Sequence, residues 1–552
     1  MNSIPMLCCF VVFYGVHQSD AQNNMQFTEV NTEIASTVCG EKDPSQILEV
    51  NGTGLALFDF DNDKDLDLFV VNAASLNDYS SGPGCRLYEN NSSANEIIFS
   101  DITKSAGIDV STWANGVAIG DADGDGNEDI YITCHGSNIL LMNNGDGTFQ
   151  DLTSAANVGD KGWGTSAAFG DIDGDGDLDL YVCNYLLFDI ASPPARSRYK
   201  GQSVLGGPHG MLPQADVVFE NLGDGIFQDV TTAWGFDTTP SFALNVAILD
   251  FTGDGLTDIF VGNDSMSNKL FVNTGETPIS FDEIGLQSGV AMNGDGAMQA
   301  TMGIAIADVN GNQRPDIFTT NFSSDTNTLH LNDASGFFDD RTKRYRLGLS
   351  SRSLLGWSCG FHDFDLDGDE DLLIVNGHVY PEATRESMDS ERAQPMVLFE
   401  RTRKGFLNYK EESSSSLFQP YRDRAAVFGD LDSDGDTDVV INQRGGSIRV
   451  LRNDARRSNP LILYLRGNRK NPKGLGAAIH VLMKDGAIQS RWRHDGSGFQ
   501  SSASTPISIA TGGGVVEQIE VIWADGTRQL VKDVPSQGAF VIKQLQPLAE
   551  TQ

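Results

Sequence analysis

A thirteen-residue pattern recurs seven times along this 552-residue chain, and it restricts what the chain can fold into more than any other feature. Its fullest copy, Gly170–Val182, reads G-D-I-D-G-D-G-D-L-D-L-Y-V, with acids at Asp171, Asp173, Asp175, Asp177 and Asp179. Gly174 and Gly176 let the backbone curl, and Leu178 and Leu180 lead into a strand-like run. Carboxylates at loop positions 1, 3, 5 and 9, with a backbone carbonyl from position 7, can wrap one hard cation. Calcium takes roughly 6–8 oxygens at about 2.3–2.6 Å and tolerates irregular geometry, which suits such a loop. An EF-hand would need flanking helices and a bidentate acid at position 12. Here position 12 is Val182, inside the apparent strand, so the pattern predicts a β-loop calcium site.

The predicted ligands of the seven copies follow from that register. They are Asp59, Asp61, Asp63 and Asp67; Asp121, Asp123, Asp125 and Asp129; and Asp171, Asp173, Asp175 and Asp179. Next come Asp250, Thr252, Asp254 and Asp258, then Asp308, Asn310, Asn312 and Asp316. The last two sets are Asp363, Asp365, Asp367 and Asp371, and Asp430, Asp432, Asp434 and Asp438. Up to seven calcium ions are expected. The fourth and fifth loops should bind more weakly, because Thr252, Asn310 and Asn312 replace acids and Pro315 stiffens an exit. Four carboxylates brought together without a cation repel one another, so the ion should also stabilise the fold. A single acidic match is weak evidence; seven in tandem define a repeat array.

Each repeat has one grammar. A small-residue apolar run such as Trp113–Gly120 precedes the loop, and a β-rich run such as Ile130–Thr133 follows it. Then comes L-Y-E-N (Leu87–Asn90), L-L-M-N (Leu140–Asn143), V-F-E-N (Val218–Asn221) or L-F-V-N (Leu270–Asn273). Last is F-x-D-[VIL]-T, at Phe99–Thr103, Phe149–Thr153 and Phe227–Thr231. These are four short strands bounded by Gly, Asn and Asp turns, with no amphipathic helix of useful length. Seven small sheets cannot each bury a core alone, whereas radial packing gives every sheet two neighbours. The fold class expected is therefore all-β: a seven-bladed β-propeller followed by a small C-terminal β domain. The seventh repeat lacks its last strand, and an orphan copy, Phe27–Val30, lies before the first loop. Pairing the two would close the ring.

The charge is lopsided: 38 Lys+Arg against 76 Asp+Glu, a net of −38. Residues from Ala455 onward carry a net +5, so the repeat array holds most of the acid, and a nucleic-acid partner is excluded for it. The basic end either docks on the acidic array or an acidic partner, or carries ordinary surface cations. Its runs Leu461–Leu465, Ala478–Met483, Ile507–Ala510 and Val515–Trp523 read as strands. The expected division is a leader over 1–21, the propeller over 26–454 and the β domain over 455–545. Ile4–Val16 is an apolar run too short to span a bilayer comfortably, followed by small residues Ser19 and Ala21. It reads as a secretory signal, placing the mature chain outside the cell, or in the periplasm or on the cell surface if the source is bacterial. Five cysteines would remain, Cys39, Cys85, Cys134, Cys183 and Cys359; Cys39 and Cys85 bracket the first repeat and could bridge.

The repeated [AG]-x-[AFIV]-x-D-x-D-x-D-G-x-x-D-[LI]-[YF] resembles FG-GAP/VCBS repeats, which build the propeller of integrin α subunits. Asn471–Val481, Gly496–Phe499 and Ile519–Thr527, with Asn376–Pro381 upstream, resemble the cartilage-acidic-protein-like family and its ASPIC/UnbV domain. The resemblance implies an extracellular calcium-binding propeller with no catalytic residues to carry over. The loop after Asn184 lacks the cysteine pair associated with that family, and Gly512–Gly514 stand where G-L-G is usual.

Two insertions, Tyr185–Gln214 and Gly377–Pro395, join second and third strands of the third and sixth blades. The acidic loops join first and second strands. Antiparallel strands alternate direction, so the insertions should share the opposite face, where long loops on a rigid scaffold commonly bind. His135, His209 and His378 fall on that face, either as separate loop residues or as a metal or acid–base cluster. Trp113, Trp163 and Phe242 each precede a first-ligand Asp by eight residues, either as packing between blades or as a stacking platform for sugar. Asn51, Asn91 and Asn321 begin glycosylation acceptor sequences. Two functions fit: a secreted, calcium-stabilised binding or adhesion protein with an extracellular protein or glycan partner, or a propeller enzyme acting on a polysaccharide or small molecule at the channel mouth. Propellers host both.

Overall fold

The computed structural model describes residues 25–545 except 95, 237–238, 334–335, 410–415, 456–458 and 497. The leader expected over 1–21 lies outside the described residues.

Strand order follows from the loop register. In blade 3, Gly164–Gly170 turns through the acidic loop into Asp179–Asn184, followed by Val217–Asn221 and Phe227–Asp229. All seven sheets are antiparallel in this meander. First strands of neighbouring blades pack on one another around a closed ring, so they line the axis. Their near-continuous burial, as in Ala114–Gly120 and Ala243–Leu249, explains the small-residue runs. The hydrophobic cores lie between blades rather than within them. Phe58, Phe69, Ile119 and Ile132 join blades 1 and 2; Tyr181, Val218, Val246 and Phe271 join blades 3 and 4. Burying each large side chain contributes about 1.5–3 kcal/mol, and a lone blade would gain little of it.

The ring closes as the orphan strand requires. Phe27–Val30 pairs antiparallel with Arg449–Asn453, with Phe27 opposite Asn453 and Val30 opposite Val450. Amides of Phe27–Val30 are accordingly expected to exchange with solvent as slowly as those of Arg449–Asn453. Terminus-like fast exchange in hydrogen-exchange mass spectrometry would show that the ring is not held shut there.

The C-terminal domain is a sandwich. One sheet holds Ile507–Ile509, Leu461–Arg466 and Gly538–Lys543; the other holds Ile488–Trp492, Ala478–Met483, Val516–Ile522 and Arg528–Val531. Asp495 and residues 498–505 leave the sandwich and enter the ring axis. Ser502 and Ala503 add a parallel fifth strand to blade 1, opposite Ala56 and Leu57. Val117 N–H of blade 2 donates to Gln500 O, Phe169 N–H of blade 3 to Asp495 Oδ2, and Asn245 Nδ2 of blade 4 to Gly498 O. Ile304 of blade 5 exchanges two backbone hydrogen bonds with Gly498. Phe499 is fully buried 4.8 Å from Trp357 of blade 6, and Gly498 lies against Ala426 O of blade 7. One loop thus touches every blade. A Cβ on Gly54 would stand 1.7 Å from Gln500 O, which is why the axis admits this loop only past glycine.

Candidate metal centres

Each acidic loop is a tight turn whose polar groups are largely satisfied by its own backbone. The position-9 aspartate opens the second strand and accepts two backbone N–H groups. In blade 3, Asp179 Oδ2 accepts Ile172 N–H at 2.9 Å and Oδ1 accepts Asn221 N–H at 2.8 Å. The same two bonds recur at Asp67, Asp129, Asp258, Asp316, Asp371 and Asp438. This residue therefore builds the loop as well as charging it.

In five loops three carboxylates converge so that one oxygen from each lies within 4.8 Å of the others. The groups are Asp59/Asp61/Asp67, Asp121/Asp123/Asp129, Asp171/Asp173/Asp179, Asp363/Asp365/Asp371 and Asp430/Asp432/Asp438. Position 5 stands apart from these groups. Asp63, Asp125, Asp175, Asp367 and Asp434 each accept the N–H of position 7, as do Asp254 and Asn312 in the remaining loops. The fourth and fifth loops share the backbone turn but gather no such trio. All converging donors are carboxylate oxygens, with no His or Cys, and Asp59 Oδ1 is buried without a partner. That donor set fits a hard cation.

Electrostatics point the same way. Burial pushes Asp67, Asp258, Asp316 and Asp363 up to about 8, and Asp121, Asp171 and Asp430 up to about 7. Desolvation is the largest cause in each, and neighbouring aspartates add to it. A cation at these positions would remove the strain of ionising them.

The third-strand asparagine of the L-x-x-N motif has a role that its sequence position did not reveal. Asn221 Nδ2 donates to Leu178 O of its own loop and to Ala122 O, position 2 of the preceding blade's loop. Asn90, Asn143, Asn273, Asn332 and Asn453 reach back to Leu431, Phe60, Ile172, Phe251 and Phe364 in the same way. Blade 6 has no asparagine there, and Arg401 Nη2 bonds Val309 O instead at 2.6 Å. Seven clasps therefore run round the ring through the acidic loops. The recurring Asn was the available signal.

The C-terminal domain covers this face with cations. Lys470 Nζ lies 2.9 Å from Asp177 and 3.3 Å from Asp175; Lys473 pairs with Glu128, and Arg491 Nε with Glu370 at 3.2 Å. Of the two readings of its positive balance, docking on the acidic array is the one observed.

On the other face the two insertions meet. The first forms a hairpin, Ser197–Tyr199 with Gln202–Val204, and crosses to the sixth blade. Arg196 pairs with Glu382, Lys200 Nζ donates to Met388 O at 2.7 Å, and the Tyr199 ring packs 5.6 Å from Tyr380 and 5.7 Å from Phe322. The roots of the insertion, Tyr185, Leu186 and Leu205, are buried with Trp113, Trp163, Phe242 and Trp357 over the channel mouth. The three aromatic residues preceding acidic loops are thus core, not an exposed platform. Among the described residues the histidines form no metal group. His378 Nδ1 accepts Tyr380 N–H, so its proton sits on Nε2, 3.1 Å from Ser323 Oγ; burial drops its pKa to about 3. It donates to Ser323 and cannot act as that hydroxyl's base. The five cysteines among the described residues are buried free thiols, so Cys39 and Cys85 are not bridged. Asn51 and Asn321 are buried, which leaves Asn91 as the exposed acceptor of the three.

Comparison with known proteins follows this division. The FG-GAP-like repeat family model matches residues 59–132, 121–182, 250–319 and 308–374, and the ASPIC and UnbV model matches 467–548. Cartilage acidic protein 1 of Xenopus tropicalis is 22% identical over 331 residues, covering 58% of this chain and 47% of that protein. The chain thus spans about half the length of this curated relative. Among solved structures, an Agrocybe aegerita lectin that recognises non-reducing terminal N-acetylglucosamine is 16% identical, covering 66% of this chain and 87% of the lectin, with a TM-score of 0.40. BBS1N, in its complex with ARL6DN, is 9% identical over 77% of this chain and 96% of that one, with a TM-score of 0.39.

Proposed function

The chain is an FG-GAP-repeat β-propeller protein with a C-terminal ASPIC/UnbV domain, and from that premise we propose an exported, calcium-stabilised scaffold that captures an extracellular protein or glycan. Calcium is structural, held by the aspartates that converge in the acidic loops. The working surface is the face formed by the two insertions. One observation carries this reading: the chain's own C-terminal domain covers the acidic-loop face, whereas the insertions meet over the other mouth and present exposed tips. Among the described residues no helix is long and apolar enough to cross a membrane. The proposed division is a leader over 1–21, a propeller over 26–454 and a β domain over 455–545.

The insertion tips give the test. Because Tyr185, Leu186 and Leu205 belong to the core, whole-loop deletion would damage the fold. Replacing the exposed side chains Arg198 and Gln202, or Arg385 and Glu386, by alanine, which leaves the buried Ala383 and Met388 in place, is expected to abolish capture on protein and glycan arrays. Calcium content should be unchanged and stability should shift by no more than about 1 kcal/mol, as for exposed segments. Full capture by both variants would move the site away from this face.

A further inference from the structure

The C-terminal domain does not seal the acidic-loop face completely. Between the two lies a cavity of about 410 Å³, bounded by blades 1, 5, 6 and 7 on one side and by both sheets of the sandwich on the other. Ile462 and Tyr464 alternate with the buried core positions of Leu461–Arg466, so they project from the outer face of their sheet, and Ser508 does the same on Ile507–Ile509. Outward positions of a sandwich ordinarily meet water; these three line the cavity. Across it the His362 ring lies 4.5 Å from that of Phe428, which gives the propeller wall an aromatic floor. Exposed Lys64, Ser433 and Asp434 mark the mouth. A concave space of this size at a domain boundary is a usual place for a small ligand.

The two walls carry opposite charge. Among the described residues the C-terminal domain lines the cavity with Arg491 and Arg493 and no acid. The propeller lines it with Asp363, Glu370, Asp430, Asp434 and Asp436, against one lysine, Lys64. Groups on both walls are left unmet. Arg491 Nε takes Glu370 at 3.2 Å, but its Nη2 is buried with no hydrogen-bond partner. Ser508 Oγ is buried without one too. Opposite them Asp436 is only 3% exposed; its Oδ2 accepts Ala455 N–H at 2.9 Å, while its Oδ1 has no partner. Asp436 stands outside the converging trio of its loop. Leaving a buried polar group unmet is costly, so a donor on one wall and an acceptor on the other call for a molecule that offers each its complement.

We propose that this cavity between the domains binds a small zwitterion with an apolar body, of amino-acid or dipeptide size. Its carboxylate meets the Arg491 guanidinium and the Ser508 hydroxyl, and its ammonium meets Asp436. Its apolar side chain lies against Phe428, His362 and Ile462. A ligand of a single charge would satisfy one wall and leave the other unmet. The site is separate from the insertion face and does not rest on the function read there.

Isothermal titration calorimetry of the calcium-loaded full chain with phenylalanine, leucine and leucyl-phenylalanine tests this. One equivalent of at least one probe should bind with a dissociation constant below about 1 mM. N-acetylation and C-amidation of that probe each remove one charge, and each should weaken binding about ten-fold or more. Ser508→Leu fills the cavity from an outward strand position and breaks no ion pair. It should weaken binding by about the same factor, with calcium content and melting temperature unchanged. In Arg491→Gln the acid should lose its advantage over the amide. Should that variant loosen the docked domain, Ser508→Leu still decides. Absence of binding by every probe at about 10 mM overturns the inference. So does full retention in Ser508→Leu. An acetylated or amidated probe that binds as tightly as its parent overturns it as well, and shows a ligand of one charge.

Discussion

Calcium-free protein is expected to be more stable at mildly acidic than at mildly alkaline pH, and calcium-loaded protein the reverse. In the ion-free fold, burial holds Asp67, Asp258, Asp316 and Asp363 near 8, and Asp121, Asp171 and Asp430 near 7. Unfolded, the same carboxyls titrate at about 3.9. Between those values the folded chain keeps protons that the unfolded chain has released. Their contribution is fully present below about pH 4 and is lost as pH rises through about 7–8. Calcium requires the ionised carboxylates, so its binding releases protons and strengthens over that same window. At free calcium 100 times the dissociation constant, each site adds about 2.7 kcal/mol, provided the unfolded chain does not bind. Melting curves at about pH 5 and about pH 8, in chelator and in excess calcium, check both signs at once. Equal melting temperatures with and without calcium at the higher pH would remove calcium from any stabilising role. Asp179→Asn should cost more than Asp175→Asn, because Asp179 also accepts two backbone N–H groups that close its loop.

Phe499→Ala is expected to destabilise the whole molecule by about 3–5 kcal/mol, the range for emptying a fully buried phenylalanine site. The ring is buried in the propeller axis against Trp357, although it belongs to the C-terminal domain. Its loop contacts all seven blades, so loosening it should lower one cooperative transition shared by both domains. Calorimetry separates the outcomes. An unmoved propeller transition, with only a separate C-terminal transition shifted, would show that the axial loop is an ornament rather than a strut. Gly54→Ala supplies an independent approach from the propeller side, since its new Cβ would collide with Gln500 O.

Much of this molecule is determined by local sequence. Alternating acids with glycines at fixed offsets specify a turn and a cation-binding donor set without reference to the rest of the chain. The strand grammar repeats at short range, and the orphan Phe27–Val30 is itself a copy of that grammar, so ring closure could be inferred by counting strands. The faces follow as well, because antiparallel strands must alternate direction.

Only the tertiary structure decided the relations between distant residues. That Phe499 fills the propeller axis depends on contacts with strands hundreds of residues away, and Gly496–Phe499 carries no periodic signal to announce it. The Asn clasps were visible as letters, but their second partner lies on a neighbouring blade, out of reach of any local pattern. Trp113, Trp163 and Phe242 could have been platform or core until the insertions were seen to cover them. Position 5 shows what spacing alone leaves out: its acid is spaced like a ligand and also accepts the N–H of position 7, as Asp173 accepts that of position 5. Spacing fixes which groups are near one another along the chain, whereas burial, neighbours and competing hydrogen bonds fix what each group does.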